Sequence, residues 1–307
     1  MSSTTVVIGA GGLLGTAVCG TAPADTTVVP VTGLAWDQPT QAAAHIARVH
    51  SDLITAHPAR PLHVVWCAGG GRVGTDATTM EVEQQLVTRV VADLAEMTTS
   101  SHRVSFCLAS SGGGIWSGSP ARILDESVPA EPWHDYGRGK LAQEESVARI
   151  VAGTPMTAVV ARISNLYGRP PDRRPLTGLV NHLVLNAIHR RPTGIYVPLD
   201  TQRDYLSDRS AAIQMHALVR EASSGPSGST QVRVVAAGRS VTISQLAVVI
   251  GRVLGRRIPI TVGHSPTASE QPRALAFRSL HADLSASASH LAHDIQALVR
   301  GLLTWRA

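Results

Sequence analysis

Lysine is almost absent from this chain. Its 307 residues include 26 arginines and a single lysine, Lys140. Arginine replaces a solvated surface lysine at little cost. The two differ where chemistry matters: the guanidinium is planar and always charged, whereas the ammonium is compact and its pKa is tunable. The one retained lysine is therefore a candidate for chemistry. Aromatic residues are scarce as well, at 4%, so Val, Ala, Leu and Ile must fill the core. Cysteine is limited to Cys19, Cys67 and Cys107. An odd number at wide spacing argues against a disulfide framework or a zinc site, and buried thiols are expected.

No apolar run reaches the ~18 residues of a membrane span. The start, Met1-Ser2-Ser3-Thr4-Thr5, lacks the basic flank and small-residue cleavage site of a signal peptide. A cytoplasmic protein with no membrane partner is expected. The formal charge of +5 is spread along the chain apart from short pairs such as Arg173-Arg174, Arg190-Arg191 and Arg256-Arg257. A nucleic-acid binder concentrates such charge in a patch, so no nucleic-acid partner is expected, and a small anionic ligand suits the modest excess. Hydrophobic residues make up 44%, which excludes global disorder.

What is present is an alternation of strand-like and helix-like segments. Residues 5–9, Thr26–Thr32, Leu62–Cys67, Arg103–Ala109 and Met156–Ile163 read as strands. Helices are expected from near Gly12–Leu13, over Ala42–Ala56, Met80–Met97 and Tyr136–Val151, and later over Gly178–His189, Asp208–Ala222, Ser244–Leu254 and His290–Leu303. Such alternation implies βαβ units and a doubly wound parallel sheet of the Rossmann type. No third strand is evident between the second strand and Leu62–Cys67. The proline-rich texture after Gly168 suggests a division into a dinucleotide-binding domain, 1–168, and a smaller substrate lobe, 169–307, some of whose segments return to the first. Loops after Ile8, Cys67, Ala109 and Ile163 should converge at the carboxyl edge of the sheet, where open α/β folds bind ligands.

The first loop is Gly9-Ala10-Gly11-Gly12-Leu13-Leu14-Gly15. Glycines at 9, 12 and 15 suit a tight turn, close approach to a pyrophosphate, and a helix whose free N–H groups face the anion. The acidic residue expected some 20 residues on is missing: the second strand ends Val31-Thr32-Gly33, and Asp37 lies beyond the expected place. NAD and NADP both remain open. Tyr136-Gly137-Arg138-Gly139-Lys140 places Tyr and Lys on one helix face. An ammonium there would lower the phenol's pKa and make Tyr136 a general acid/base. Ser110-Ser111 ends a strand 25 residues earlier, where a hydroxyl could meet the same substrate oxygen.

These motifs resemble the extended short-chain dehydrogenases, a group that includes the NAD-dependent epimerases and dehydratases, nucleotide-sugar epimerases and 4-ketosugar reductases among them. The glycine loop resembles G-x-x-G-x-x-G. Val64-Val65-Trp66-Cys67-Ala68-Gly69 resembles the fourth strand and its cofactor-side turn. Ser110-Ser111-Gly112-Gly113-Gly114-Ile115-Trp116 resembles the Ser-rich strand end, with Trp116 where a Tyr is usual. Arg162-Ile163-Ser164-Asn165-Leu166-Tyr167-Gly168 and Arg203-Asp204-Tyr205 resemble two substrate-side segments. The resemblance implies catalysis by Ser111, Tyr136 and Lys140. It implies cofactor contact by Gly9, Gly12, Leu13, Leu14, Gly15, Ala68, Gly69 and Lys140, and substrate contact by Asn165, Arg203 and Tyr205. A nucleotide-sugar substrate, reaction at a carbinol or keto carbon (C4), and a homodimer go with it.

Several readings stay open. Alignment without gaps places Gly112 rather than Ser111 at the catalytic hydroxyl, while spacing to Tyr136 favours Ser111. Gly112-Gly113-Gly114 stands where 4,6-dehydratases carry Thr-Asp-Glu, which argues against dehydration. Epimerisation and reduction are undecided. A non-catalytic dinucleotide-binding regulator is an alternative that retention of the Tyr/Lys pair disfavours, and a reductase of a non-nucleotide carbonyl is another. Tyr205 could equally be core packing. Asp125-Glu126 and Glu144-Glu145 read as surface charges, Arg173-Arg174 as a solvated loop, and His281, His290 and His293 as a solvated face rather than metal ligands.

Overall fold

The computed structural model describes residues 2–36, 38–57, 60–99, 102–171, 176–263, 272–281 and 290–305. Asp37, Arg173 and Arg174 lie outside the described residues. The expected alternation becomes β1 (Ser3–Ile8), α1 (Leu13–Gly20), β2 (Thr26–Val31), α2 (Pro39–Ala56), β3 (Leu62–Trp66), α3 (Ala77–Met97), β4 (Val104–Ser111), α4 (Gly112–Ile115), α5 (Asp135–Val151) and β5 (Thr157–Ile163). There follow β6 (Asn165–Tyr167), α6 (Leu179–Ile188), β7 (Thr193–Ile195), β8 (Gln202–Ser207), α7 (Asp208–Ser223), β9 (Thr230–Val235), β10 (Ser240–Thr242), α8 (Ile243–Leu254), β11 (Ile260–Val262), β12 (Ala274–Leu275) and α9 (Leu291–Leu303).

Local chemistry explains where elements start. Helix α3 begins at Ala77, ahead of the apolar stripe, because the Asp76 carboxylate accepts from the Thr79 N–H at 2.9 Å. Pro39 opens α2, where its missing N–H is harmless. Helix α8 has a Thr242/Gln245 capping box and stops at Gly255 in the left-handed conformation.

Contacts divide the chain into two compact units. The first comprises Met1–Ser119, Pro129–Ile163 and Ala212–Arg233; the second comprises Pro120–Val128, Ser164–Ala211 and Val234–Ala307. The chain thus passes between the units after Ser119, Val128, Ile163, Ala211 and Arg233.

The first unit is built on a six-stranded sheet ordered β2-β1-β3-β4-β5-β9. Strands β1 to β5 pair in parallel. This is a Rossmann-type doubly wound sheet. Its buried side chains, among them Ile8, Val64, Trp66, Phe106 and Leu108, meet Ile46 of α2 and Leu86, Val90 and Leu94 of α3. Among the described residues β2 is an edge strand. The Gly9 and Ala10 N–H groups donate to the Val31 carbonyl, so Val31 faces β1 and its neighbour Pro30 turns its backbone nitrogen to the open side. A proline there sacrifices no ladder bond and removes a donor from the exposed edge. The chain then passes into α2 without adding a strand beyond β2.

In the second unit β8 pairs with β10 antiparallel and with β6 and β12 parallel, and β7 pairs with β11. Its core gathers Leu183 and Val184 of α6, Leu246 and Ile250 of α8, and Ile295 and Leu298 of α9 around Tyr167 and Tyr205.

Buried histidines make the first unit sensitive to acid, His50 and His63 both being held near 4 by burial. His50, on α2, is 1% exposed and neither ring nitrogen has a hydrogen-bond partner. Burial lowers its pKa from 6.5 to about 4. The unfolded chain therefore takes up the proton first. The stability present above pH 6.5 should fall as the pH drops towards 4, by about 3 kcal/mol from this residue. Urea unfolding across that range should show the loss, and His50→Leu should remove this contribution. An unchanged pH slope in the variant would disprove the assignment.

Candidate active site

The strand order reverses between β1 and β3, because the chain moves from β1 outward to β2 and then returns to β3 on the other side. Loops leaving the carboxyl ends at such a reversal diverge and open a crevice. Here they are the turn from Gly9 and the turn at Cys67–Gly71. The two turns touch. Gly9 has φ +85, and a Cβ on it would lie 2.6 Å from the Ala68 backbone. A Cβ on Gly15 would strike the Gly9 carbonyl. Those two glycines are thus fixed by packing. Gly12 differs: the nearest atom to a Cβ there is the Gly9 oxygen at 3.4 Å. Gly12 is the N-cap of α1 and supplies no side-chain cap, so the first N–H groups of the helix, from Leu13 onward, are offered to a ligand anion. Leu13 is partly exposed and Leu14 is buried.

Tyr136 and Lys140 stand one turn apart on α5, at the end of the sheet where β4 finishes. The Ser111 hydroxyl accepts from the Gly114 N–H at 3.1 Å and lies near enough to the Tyr136 phenol to pull its pKa down. Ser111, rather than Gly112, thus brings a hydroxyl to the phenol. A Cβ on Gly114 would meet Tyr136 Cε1 at 2.9 Å and Ser111 Oγ at 3.3 Å, so this residue must be small. The two glycines inside α5 have the same explanation. A Cβ on Gly137 would strike the Gly114 carbonyl, and one on Gly139 would meet Met80 Cβ of α3 at 2.6 Å. Helix α5 gives up intrinsic helix stability to approach its neighbours closely.

Lys140 is 6% exposed. Its Nζ donates to Gln143 Oε1 at 3.1 Å and lies 3.8 Å from Glu83 Oε2. Burial lowers its pKa, while the Glu83 and Glu144 carboxylates pull it up. The expected lowering of the Tyr136 pKa is not found. Burial raises the phenol above its ordinary value, the Ser111 hydroxyl opposes this, and the Glu83 carboxylate adds to the rise. The lysine's charge is balanced by carboxylates, so the phenol does not receive the full field of an isolated ammonium.

Three acidic residues alter the sequence reading. Glu83, on α3, is 4% exposed, and its Oε1 accepts from the N–H groups of Gly70 and Gly71 at 2.6 and 2.8 Å. No motif pointed to it; the available signal was a charge on the apolar stripe of an amphipathic helix. Glu144, expected at the surface, is buried on α5. It receives the Arg162 Nε and terminal nitrogen, the latter at 2.7 Å, and the Ser110 hydroxyl. Arg162 also lies 4.7 Å over the Trp116 ring. The network ties α5 to the ends of β4 and β5, next to the catalytic candidates. Glu126, likewise expected at the surface, accepts from the Val234 and Leu280 N–H groups, both at 2.8 Å, which joins segments of the second unit.

The substrate-side candidates belong to the second unit. Asn165 Nδ2 donates to the Asp204 carbonyl at 3.0 Å. Arg203 is partly exposed, with one nitrogen bonded to the Gln202 carbonyl at 2.8 Å. Tyr205 is 7% exposed within the hydrophobic core. It packs there with Tyr167, and the end of β8 is buried on both sides, from Asp204 to Ser207. Between them, Asp204 is fully buried and accepts from Ser164 Oγ and from the N–H groups of Ala237 and Arg239. Its carboxylate holds the strand end together.

The architecture has the form of a Rossmann-type dinucleotide-binding protein. The profile of the NAD dependent epimerase/dehydratase family matches residues 5–234, and the chain belongs to that family. NAD is the cofactor the family's description names. Solved structures share the fold. UDP-glucose 4-epimerase from Thermotoga maritima, solved with UDP-glucose, is 14% identical with TM-score 0.78 over 98% of each chain. UDP-glucose 4-epimerase from Thermus thermophilus, solved with NAD, is 18% identical with TM-score 0.76, over 98% of this chain and 99% of its own. UDP-N-acetylglucosamine 4-epimerase from Methanobrevibacter ruminantium is 16% identical with TM-score 0.75 over 99% of each. No curated protein matches the chain. No described helix is long and apolar enough to cross a membrane.

The buried pair beneath the site is open to test. Arg162→Met leaves Glu144 buried without its partner and should cost about 3–5 kcal/mol in urea unfolding. Combining it with Glu144→Leu should recover most of that loss. Equal stabilities for the single and double variants would show that the two charges are not coupled.

Proposed function

We propose that this protein moves a hydride to or from a carbon of a nucleotide-activated sugar, C4 by preference, with Tyr136 exchanging the proton. The observation that carries the reading is the grouping at the end of β4: a phenol packed with Ser111 around Gly114, one turn from a buried ammonium, beside the glycine turns of the sheet's switch point. The three structures compared above are 4-epimerases of UDP-sugars by name, which supports the substrate class and the carbon.

The residues fit a nicotinamide dinucleotide. Gly12 leaves space at an uncapped helix start for the diphosphate, with the Leu13, Leu14 and Gly15 N–H groups behind it. Ala68 and Gly69 form the adjoining wall, and Lys140 would hold the nicotinamide ribose. When bound, NAD supplies a hydride acceptor or donor at the sugar carbon. Among the described residues the end of β2 offers exposed Thr32 and Gly33, rather than a carboxylate, to an adenosine ribose.

Tyr136 is a proton donor in the resting site, because its pKa is held above the ordinary phenol value. It would deliver its proton to a carbonyl oxygen that Ser111 orients, and reclaim it when the reaction runs the other way. Asn165 and Arg203 would meet the substrate's diphosphate, and a guanidinium suits paired phosphate oxygens. A homodimer and a cytoplasmic location belong to the same reading. Epimerisation requires the dinucleotide to stay bound and be regenerated, whereas reduction consumes it.

Tyr136→Phe should lower turnover by about 10²- to 10⁴-fold while leaving the NAD-induced thermal shift intact. Full turnover in that variant would remove Tyr136 from the mechanism. Thermal shifts with NAD, NADP and a panel of UDP-sugars would identify the ligands. Dinucleotide carried through purification marks an epimerase, and stoichiometric consumption of reduced dinucleotide marks a reductase.

A further inference from the structure

Glu83 has a charge that its hydrogen bonds do not explain. It falls on the buried stripe of α3 with Met80, Leu86, Val87 and Val90. A carboxylate there loses its hydration and needs partners to offset the loss. Oε1 has them in the Gly70 and Gly71 N–H groups. A neutral amide oxygen would serve that turn as well. Oε2 accepts no hydrogen bond, and the group it faces is the Lys140 ammonium at 3.8 Å. The turn side presents only backbone at Gly70 and Gly71. From α5 the groups acting on this pair are Lys140 itself, Tyr136 and Glu144.

We propose that Glu83 is a positioning residue that keeps Lys140 as a buried ammonium and locks the Gly69–Gly71 turn to it, so that the turn and the lysine are set as one unit. Glu83 acts through these two neighbours and touches no reacting atom. The inference rests on the reading that Lys140 serves the dinucleotide and the phenol, and it adds the group that fixes the lysine's charge. Without that charge, burial favours the neutral amine.

The chain's single lysine makes the test direct. Protein grown on lysine labelled with ¹³C at Cε gives one side-chain resonance, which reports Lys140 alone. Glu83→Gln keeps an acceptor for the turn and removes the charge. The Lys140 titration midpoint should fall by about one pH unit or more in this variant. A midpoint equal to or above the wild-type value would overturn the proposal. Should Glu83→Gln fail to fold, Glu83→Gln/Lys140→Met carries the test. Folding of the double variant supports a charge partnership, and its failure shows that Glu83 serves the turn alone, which also overturns the proposal. Neither measurement requires substrate or turnover, so loss of the sugar-nucleotide reading would leave these results standing.

Discussion

A buried ammonium organises this site. Lys140 sits in the first unit with almost no exposure, and an isolated charge in such a place would cost far more than the fold can supply. It persists because two carboxylates, on α3 and on α5, raise its pKa while burial lowers it. Those carboxylates carry structure of their own. Glu83 holds the Gly70–Gly71 turn, and Glu144 holds Arg162 and Ser110. The charge balance of one lysine therefore extends into the turn beside the cofactor crevice and the ends of two central strands.

Close packing is the second constraint. Helix α5 carries two glycines that weaken it as a helix, and both lie where a side chain would collide, one with the Gly114 carbonyl and one with Met80. The same logic places a glycine at 114, beneath the phenol and the Ser111 hydroxyl. Small residues let α3, α4 and α5 approach until Tyr136, Ser111, Lys140 and Glu83 share one volume. The sheet contributes the location, since its order reverses between β1 and β3 and opens the crevice there. Its edge is shortened at β2, and Pro30 closes that edge to a further strand.

Much of this was legible beforehand. Strand and helix alternation appears in periodicity, because each element has one buried face. The glycine turn, the Tyr/Lys pair and Ser111 appear as local motifs, since each depends on neighbours within a turn or two. The absent third strand was visible as a gap between Thr32 and Leu62. Element starts were less legible: α3 begins three residues early on an Asp76 cap that apolar spacing does not reveal.

The sequence by itself determined the fold class and the family, and it nominated the groups proposed to carry the chemistry, because these follow from periodicity and short spacings. Only the tertiary structure decided their electrical state. Glu144 reads as a surface charge until Arg162, 18 positions away, is seen against it. Tyr205 reads equally as a ligand contact or as packing until the core of the second unit is seen around it. Glu83 reads as one more acid on a helix until the fold brings Lys140 beside it, and the Tyr136 pKa rises instead of falling, chiefly through burial, with Glu83 adding to the rise. Charge and burial depend on partners distant along the chain, and that information exists only once the chain is folded.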